Sequence, residues 1–446
     1  MSDWGKVVCF ICMLLMSGVG VAEARSFAEI KHEAEQGDAA AQYELGIKYD
    51  VGQGVTQDYA QAADWFRKAA EQGYASAQYH LGVKYASGSG VAWDYAEALI
   101  WYRKAGEQGH AAAQLKLGEM YLSGQGIPQD YTQAESWYRK AAEQGQVTAQ
   151  QSLGRMYYYG HGVRQDYTQA ADWYRKAAGQ GKRLAQFVLG SMYEGGQGVR
   201  QDYSKAADWY RTAALQGYAL AQYNLGTMYD RGLGVQQDYA QAAAWFRKAA
   251  EQGDASAQFN LGAMYMDGKG VAQDHAQAAT WFRNVAEQGG ADAQYNLGVM
   301  YETGQGIPQD HTEALVWYRK AAEQGYVLAQ NALGVIYEGG EGVHQDYAKA
   351  LNWFRKAAEQ GDAAAQRSLG TMYVSGKGVR QNDVEAVAWY RKAAEQGDAS
   401  AQNNLGVMYR LGRGVRQDFN IAREWFGKSC DNGVQQGCDQ YELLSE

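Results

Sequence analysis

From residue 39 onward the apolar positions fall on helical spacing, and they do so twice in every 36 residues. In the stretch 219–254, Ala221, Leu225, Met228 and Tyr229 stand at i, i+4, i+7 and i+8, with Ala219, Gln222 and Gly226 in a second stripe beside them. Two flanks rich in small residues predict a helix, helix A, buried on two sides and closely approached by its neighbours. Gly232 and Gly234 end it, because glycine reaches left-handed dihedrals without steric cost. Helix B opens at Asp238, whose carboxylate can accept from the free N–H groups of a first turn. Tyr239, Ala242, Phe246 and Ala249 follow on one stripe, with Trp245 turned about 100° from Phe246 so that it faces the next copy. Arg247 and Lys248 suit the negative end of this helix, Gly253 closes it, and Asp254 caps the following helix A. Such short connections force the two helices antiparallel.

The pattern is copied without a slip. Trp65, Trp101, Trp137, Trp173, Trp209, Trp245, Trp281, Trp317, Trp353, Trp389 and Trp425 stand 36 residues apart. A fixed period of this length means that each copy touches only its neighbours and the chain grows as an all-α solenoid. Such a fold offers an extended surface rather than a closed pocket, which favours holding other molecules over catalysis.

At Leu225-Gly226-x-x-Tyr229 and Ala242-x-x-x-Phe246-x-x-Ala249 the unit resembles a tetratricopeptide repeat. It departs through Gln222 in place of Trp, the lack of a closing Pro, and a Gly-x-Gly-Val loop that lengthens the period. These departures are the pattern of the Sel-one-like repeat family, which the chain resembles in eleven copies from Ala39 to Val434. The resemblance implies a right-handed α/α superhelix whose helices A line a concave face. It also implies an adaptor for other proteins, of a kind that bacteria often export. Residues 25–38 read as a capping half-repeat, with Ile30 and Glu29 where other copies have Phe or Tyr and Trp, and 435–446 as a terminal capping helix.

Composition changes the picture in three places. A net charge of -9 without a basic block excludes nucleic acid and disfavours acidic polymers. Only two prolines occur, and nothing interrupts the array between 39 and 434. Lys6, the apolar run Val7 to Met16 and the small-x-small triplet Ala22-Glu23-Ala24 read as a signal peptide cut after Ala24. The expected location is therefore periplasmic or secreted, with no membrane span left after cleavage. Cys9 and Cys12 would leave with that segment, so the remaining Cys430 and Cys438 read as a disulfide.

Candidate chemistry is thin. The tryptophan column reads as core stacking rather than a glycan platform. The recurrent Gln42, Gln78, Gln114 and their equivalents read as buried amides that bond backbone across copies. Pairs such as Arg67-Lys68 read as a solvated face, supported by Asp64 with Lys68 and Arg67 with Glu71. His275 and His311 replace a recurrent Tyr in successive copies and have no metal-ligand spacing. No Gly-Lys-Ser or Gly-Lys-Thr loop, no Ser-x-x-Lys and no catalytic triad is present, so neither cofactor nor catalytic residue is expected. Hydrolysis of β-lactams, suggested by cysteine-rich relatives, is the weakest of three functional readings.

The informative positions are those that vary while the frame repeats. The fifth residue of helix A gives Tyr43, Tyr79, Phe187, Tyr223, Phe259 and Tyr295; the sixth gives Asn224, Asn260 and Asn296; the twelfth gives Glu194, Asp230, Glu302 and Glu338. An aromatic floor with amides and an acidic edge suits an extended peptide or partner helix that carries basic residues. The second reading is binding of peptidoglycan or another cell-wall glycan through exposed Tyr and Trp.

Overall fold

The computed structural model describes residues 25–444; the expected signal segment lies outside them. Among the described residues there are 24 helices and no strand. They fall into two compact units, one reaching Gln201 and the other starting at Asp202, with the division in the loop inside copy five. The first unit holds a lone helix Phe27–Glu35, four hairpins and helix A of copy five, Arg183–Gly195. The second begins with helix B of copy five, Tyr203–Leu215, continues through six hairpins and ends with the helix Gln435–Leu443.

Copy six shows why each unit folds as it does. Helix A runs Ala219–Arg231 and stops at Gly232, whose φ of 70° is left-handed. Helix B runs Tyr239–Ala250 behind Asp238, whose carboxylate accepts from the Gln241 N–H at 2.9 Å. The pair is antiparallel: the Tyr229 carbonyl late in helix A accepts from the Asp238 N–H at 3.0 Å. At the other end, Gln252 just past helix B donates to Gln222 near the start of helix A at 2.7 Å. Between these ends the Phe246 ring lies on Gly226, where an added Cβ would come within 2.7 Å of it. Gly46 meets Phe66 and Gly82 meets Tyr102 in the same way, each at 2.7 Å, so this helix A glycine is required by the ring.

Successive copies are joined by recurring polar bonds. Gln42 and its ten equivalents are buried and donate to a helix B carbonyl eight residues earlier at 2.9–3.1 Å. The expectation of a buried amide bonding backbone across copies therefore holds. Arg67, Arg247 and Arg319 donate to the hydroxyls of Tyr85, Tyr265 and Tyr337 in the following helix A, at 3.4, 2.6 and 3.0 Å. The face expected for the Arg-Lys pairs is solvated, since Lys68, Arg247, Lys248, Arg319 and Lys320 are exposed, but the pairings expected within it are corrected. The arginine is a tie between copies, and Arg67 pairs with Asp64 at 2.9 Å instead of with Glu71. Lys68 lies over the Trp65 ring at 3.7 Å instead of pairing with Asp64, because the indole three residues back offers its electron-rich face.

The tryptophans also differ in direction from expectation: they reach back to the preceding copy. Trp101 packs among Ala62, Phe66 and Ala69, and Trp317 among Ala278, Phe282 and Val285. Small residues in the last turn of the preceding helix B leave the room, so that a Cβ on Gly106 would stand 3.3 Å from the Trp137 ring. Trp101, Trp137, Trp173, Trp245 and Trp317 are buried and the other six are half-buried. Near the C-terminus Cys430 and Cys438 stand in disulfide geometry, their Cα atoms 4.6 Å apart, and tie the last helix to its neighbour.

Two substitutions test this packing in urea unfolding followed by circular dichroism. Gly226→Ala, which pushes a methyl group into the Phe246 ring, is expected to cost about 1–3 kcal/mol. Trp245→Ala, at 8% exposure, is expected to cost about 3–5 kcal/mol, whereas a free surface indole would cost almost nothing.

Candidate functional site

Helix A is packed between its own helix B and the helix B of the preceding copy, which leaves part of its surface open to solvent. All thirteen residues proposed for recognition fall on the margin of that part: each is half-buried, none fully exposed. The fifth-position aromatics pack against the helix B ring of their own copy, with centroids 5.8 Å apart for Tyr43–Phe66, 5.9 Å for Tyr79–Tyr102, 5.7 Å for Tyr223–Phe246, 5.4 Å for Phe259–Phe282 and 5.6 Å for Tyr295–Tyr318. They fill the seam between the helices and show one edge outward.

In the second unit a cavity of about 260 Å³ opens between copies six and seven, lined by Tyr223, Asp230, Phe246, Asn260, Asp267 and Lys269. It brings together a fifth-position ring, a twelfth-position carboxylate and a sixth-position amide from two successive copies. Asp230 accepts from Lys269 Nζ at 2.9 Å, and that bond holds the lysine pKa above its ordinary value. Lys269 also lies 4.1 Å over the Tyr239 ring. Copy eight carries a related arrangement. Glu302 accepts from the Tyr318 hydroxyl at 2.5 Å, and burial first, then that carboxylate, raise the phenol pKa far above its usual value.

In the first unit a cavity of about 320 Å³ is lined by Tyr79, Val83, Ser87, Tyr102, Lys116 and Glu119. Tyr79 stacks on His110 at 4.8 Å, and Tyr43 packs 5.5 Å from His80. Neither cavity includes Phe187, Asn224, Asn296 or Glu338. Glu194 and Glu338, like Asp230 and Glu302, offer their backbone carbonyls to the loop glutamine seven residues later, at 2.8 Å in each case.

Sequence reasoning missed Lys269 and Asp267, which sit where helix A passes into its glycine loop. The signal was present, since Lys269 stands where several copies carry Gln. Away from this face, His275 and His311 each lie beneath a loop glycine of the following copy, Gly306 and Gly342. Among the described residues no three His, Cys, Asp or Glu side chains converge on a metal position. Nor is any described helix long and apolar enough to cross a membrane.

A row of helical hairpins with an open, chemically varied helix A surface defines a repeat scaffold of the α/α solenoid class. All eleven copies, residues 39–74, 75–110, 111–146, 147–182, 183–218, 219–254, 255–290, 291–326, 327–362, 363–398 and 399–434, match the Sel1 repeat model, and the chain belongs to that family. Repeat scaffolds of this family are generally non-catalytic and commonly serve protein–protein interaction. A solved relative is a protective antigen of uropathogenic Escherichia coli strains displaying an SLR fold. It is 44% identical over 95% of this chain and 91% of its own, with a TM-score of 0.87. A Sel1 repeat protein from Oxalobacter formigenes is 36% identical over 74% of this chain and 93% of its own, with a TM-score of 0.57. The secretory immunoglobulin A-binding protein EsiB of Escherichia coli O6:H1 is 51% identical over 41 residues, a match spanning 9% of this chain and 8% of that protein.

The rings of the first unit make its stability depend on pH. Burial holds the pKa of His80 below 6.5, with His110 and Lys84 adding and Asp50 opposing, and burial likewise lowers His110. Below pH 6.5 the unfolded chain therefore binds more protons than the folded one, so stability falls as pH falls from 6.5 toward the lowered values. Thermal melts at pH 7.5 and pH 5 should show this loss, and His80→Gln should reduce it.

Proposed function

We propose that the protein is an exported, non-catalytic scaffold that docks a protein or peptide partner on its helix A face. The observation that carries this reading is the cavity shared by Tyr223, Asp230 and Asn260, in which two copies contribute an aromatic wall, a carboxylate and an amide. A rigid ring beside paired polar groups is the composition of an interaction hot spot, and Asp230 and Asp267 stand there with Arg231 and Lys269, so the wall offers charges of both signs to a partner. Further support comes from the two Escherichia coli relatives, a protective antigen and an immunoglobulin A-binding protein, and from the signal-like segment before Arg25. Against the cell-wall glycan reading stands the cover over the indoles: Lys68, Lys140 and Lys248 lie 3.7, 4.0 and 3.9 Å from the centroids of Trp65, Trp137 and Trp245. That cover removes these recurrent indoles as a stacking platform on which a glycan would rest.

Crosslinking in the native envelope followed by mass spectrometry is expected to recover a protein partner; capture of cell wall alone would overturn the proposal. Tyr223→Ala combined with Asn260→Ala should weaken that capture about tenfold or more while lowering the melting temperature less than Trp245→Ala does, since both side chains are only half-buried. A large fall in melting temperature would reassign the pair to the core.

A further inference from the structure

A third cavity, of about 630 Å³, lies between copies nine and ten and is lined by Arg355, Tyr373, Val379, Arg380, Asn382 and Trp389. Its walls come from helices B, the loop before helix B and Tyr373 late in helix A of copy ten, and none of them is a residue of the cavity between copies six and seven. The repeat supplies its own comparison. The equivalent space in copy four, about 570 Å³, is lined by Tyr157, Val163, Arg164, Gln165, Asp166 and Gln169. There the arginine that reaches Tyr157, Arg139, is neutralised by Glu135 four residues before it, and the helix is capped by the carboxylate of Asp166.

The space between copies nine and ten differs from that arrangement at the arginine and at the cap, and the cap is the difference that no other copy shares. Three and four residues before Arg355 stand Asn352 and Leu351, so its helix offers it no carboxylate at these positions. The cap is Asn382, whose side-chain oxygen accepts from the N–H groups of Val384 and Glu385 at 3.1 and 3.2 Å and brings no charge. The helices B of the other ten copies carry Asp there. The adjoining Asp383 is held by Arg413 through two bonds of 3.0 and 2.8 Å, which compensates its charge. The wall thus carries two guanidiniums, Arg355 and Arg380, against one further carboxylate, Glu385. Arg355 is fixed by its bond to the Tyr373 hydroxyl at 3.2 Å and keeps donors to spare. Val379 and an edge of the Trp389 indole, whose face Lys392 covers at 4.1 Å, complete an apolar side.

We propose that this cavity binds a carboxylate. The guanidiniums take the two oxygens, and the apolar body of the ligand lies on Val379 and the edge of Trp389. An acidic peptide side chain and an acidic sugar share this chemistry. Saturation-transfer NMR on the chain from Arg25 onward separates them, using N-acetyl-Phe-Asp-amide against N-acetyl-Phe-Asn-amide and glucuronate against glucose.

At least one acid is expected to bind about tenfold more tightly than its neutral counterpart, and the pair that shows the difference names the source. Asn382→Asp restores the cap used by the other copies, so the fold is safe, and should reduce that preference about threefold or more. Arg380→Gln, at an exposed position, should act in the same direction. If neither acid outbinds its neutral counterpart, or if Asn382→Asp leaves the preference intact, the proposal fails.

Discussion

The structure depends on one steric fact: inside each hairpin an aromatic ring of helix B lies against a glycine of helix A. At Gly226 any side chain would intrude on Phe246, and at Gly298 on Tyr318, each with a Cβ 2.7 Å from the ring. That close seat sets the distance between the two helices. The alanines around it, such as Ala221, Ala242 and Ala249, are fully buried because nothing larger fits at the same separation.

With the hairpin so narrow, the polar groups that join one copy to the next work at short range. Gln222 satisfies the Ala214 carbonyl and accepts from Gln252, so its buried amide links two copies at once. Arg247 carries the same linkage on the outside, through the Tyr265 hydroxyl. Residues that look like ordinary surface charge are therefore committed to holding the row together. In the function proposed here, recognition falls to the positions this framework leaves unspecified, which in copies six and seven are Tyr223, Asp230 and Asn260.

Most of the fold was legible because the period is exact enough to read each position eleven times. Helix ends followed from Gly232 and Asp238, and the role of Gln222 from its apolar surroundings. Two matters were not legible. Trp245 and its equivalents were expected to face forward, yet the space that receives an indole is made by small residues of the preceding helix, which a single-helix pattern does not locate. The roles of Arg67 and Lys68 were also missed, because neighbours on the same helix looked adequate while better partners stood on Tyr85 and above Trp65. At the candidate site the sequence indicated which positions vary; which of them share a cavity depends on how two copies meet, and that separated Tyr223, Asp230 and Asn260 from Asn224 and Glu338.

The regular spacing of the glutamine and arginine links bears on how such a gene can change length. Deleting or duplicating one whole 36-residue segment at any register leaves every amide and guanidinium facing an equivalent acceptor, so no new core has to be invented. Unequal recombination between these near-identical stretches would therefore yield foldable products of different reach, and natural variants should differ in length by whole multiples of one segment.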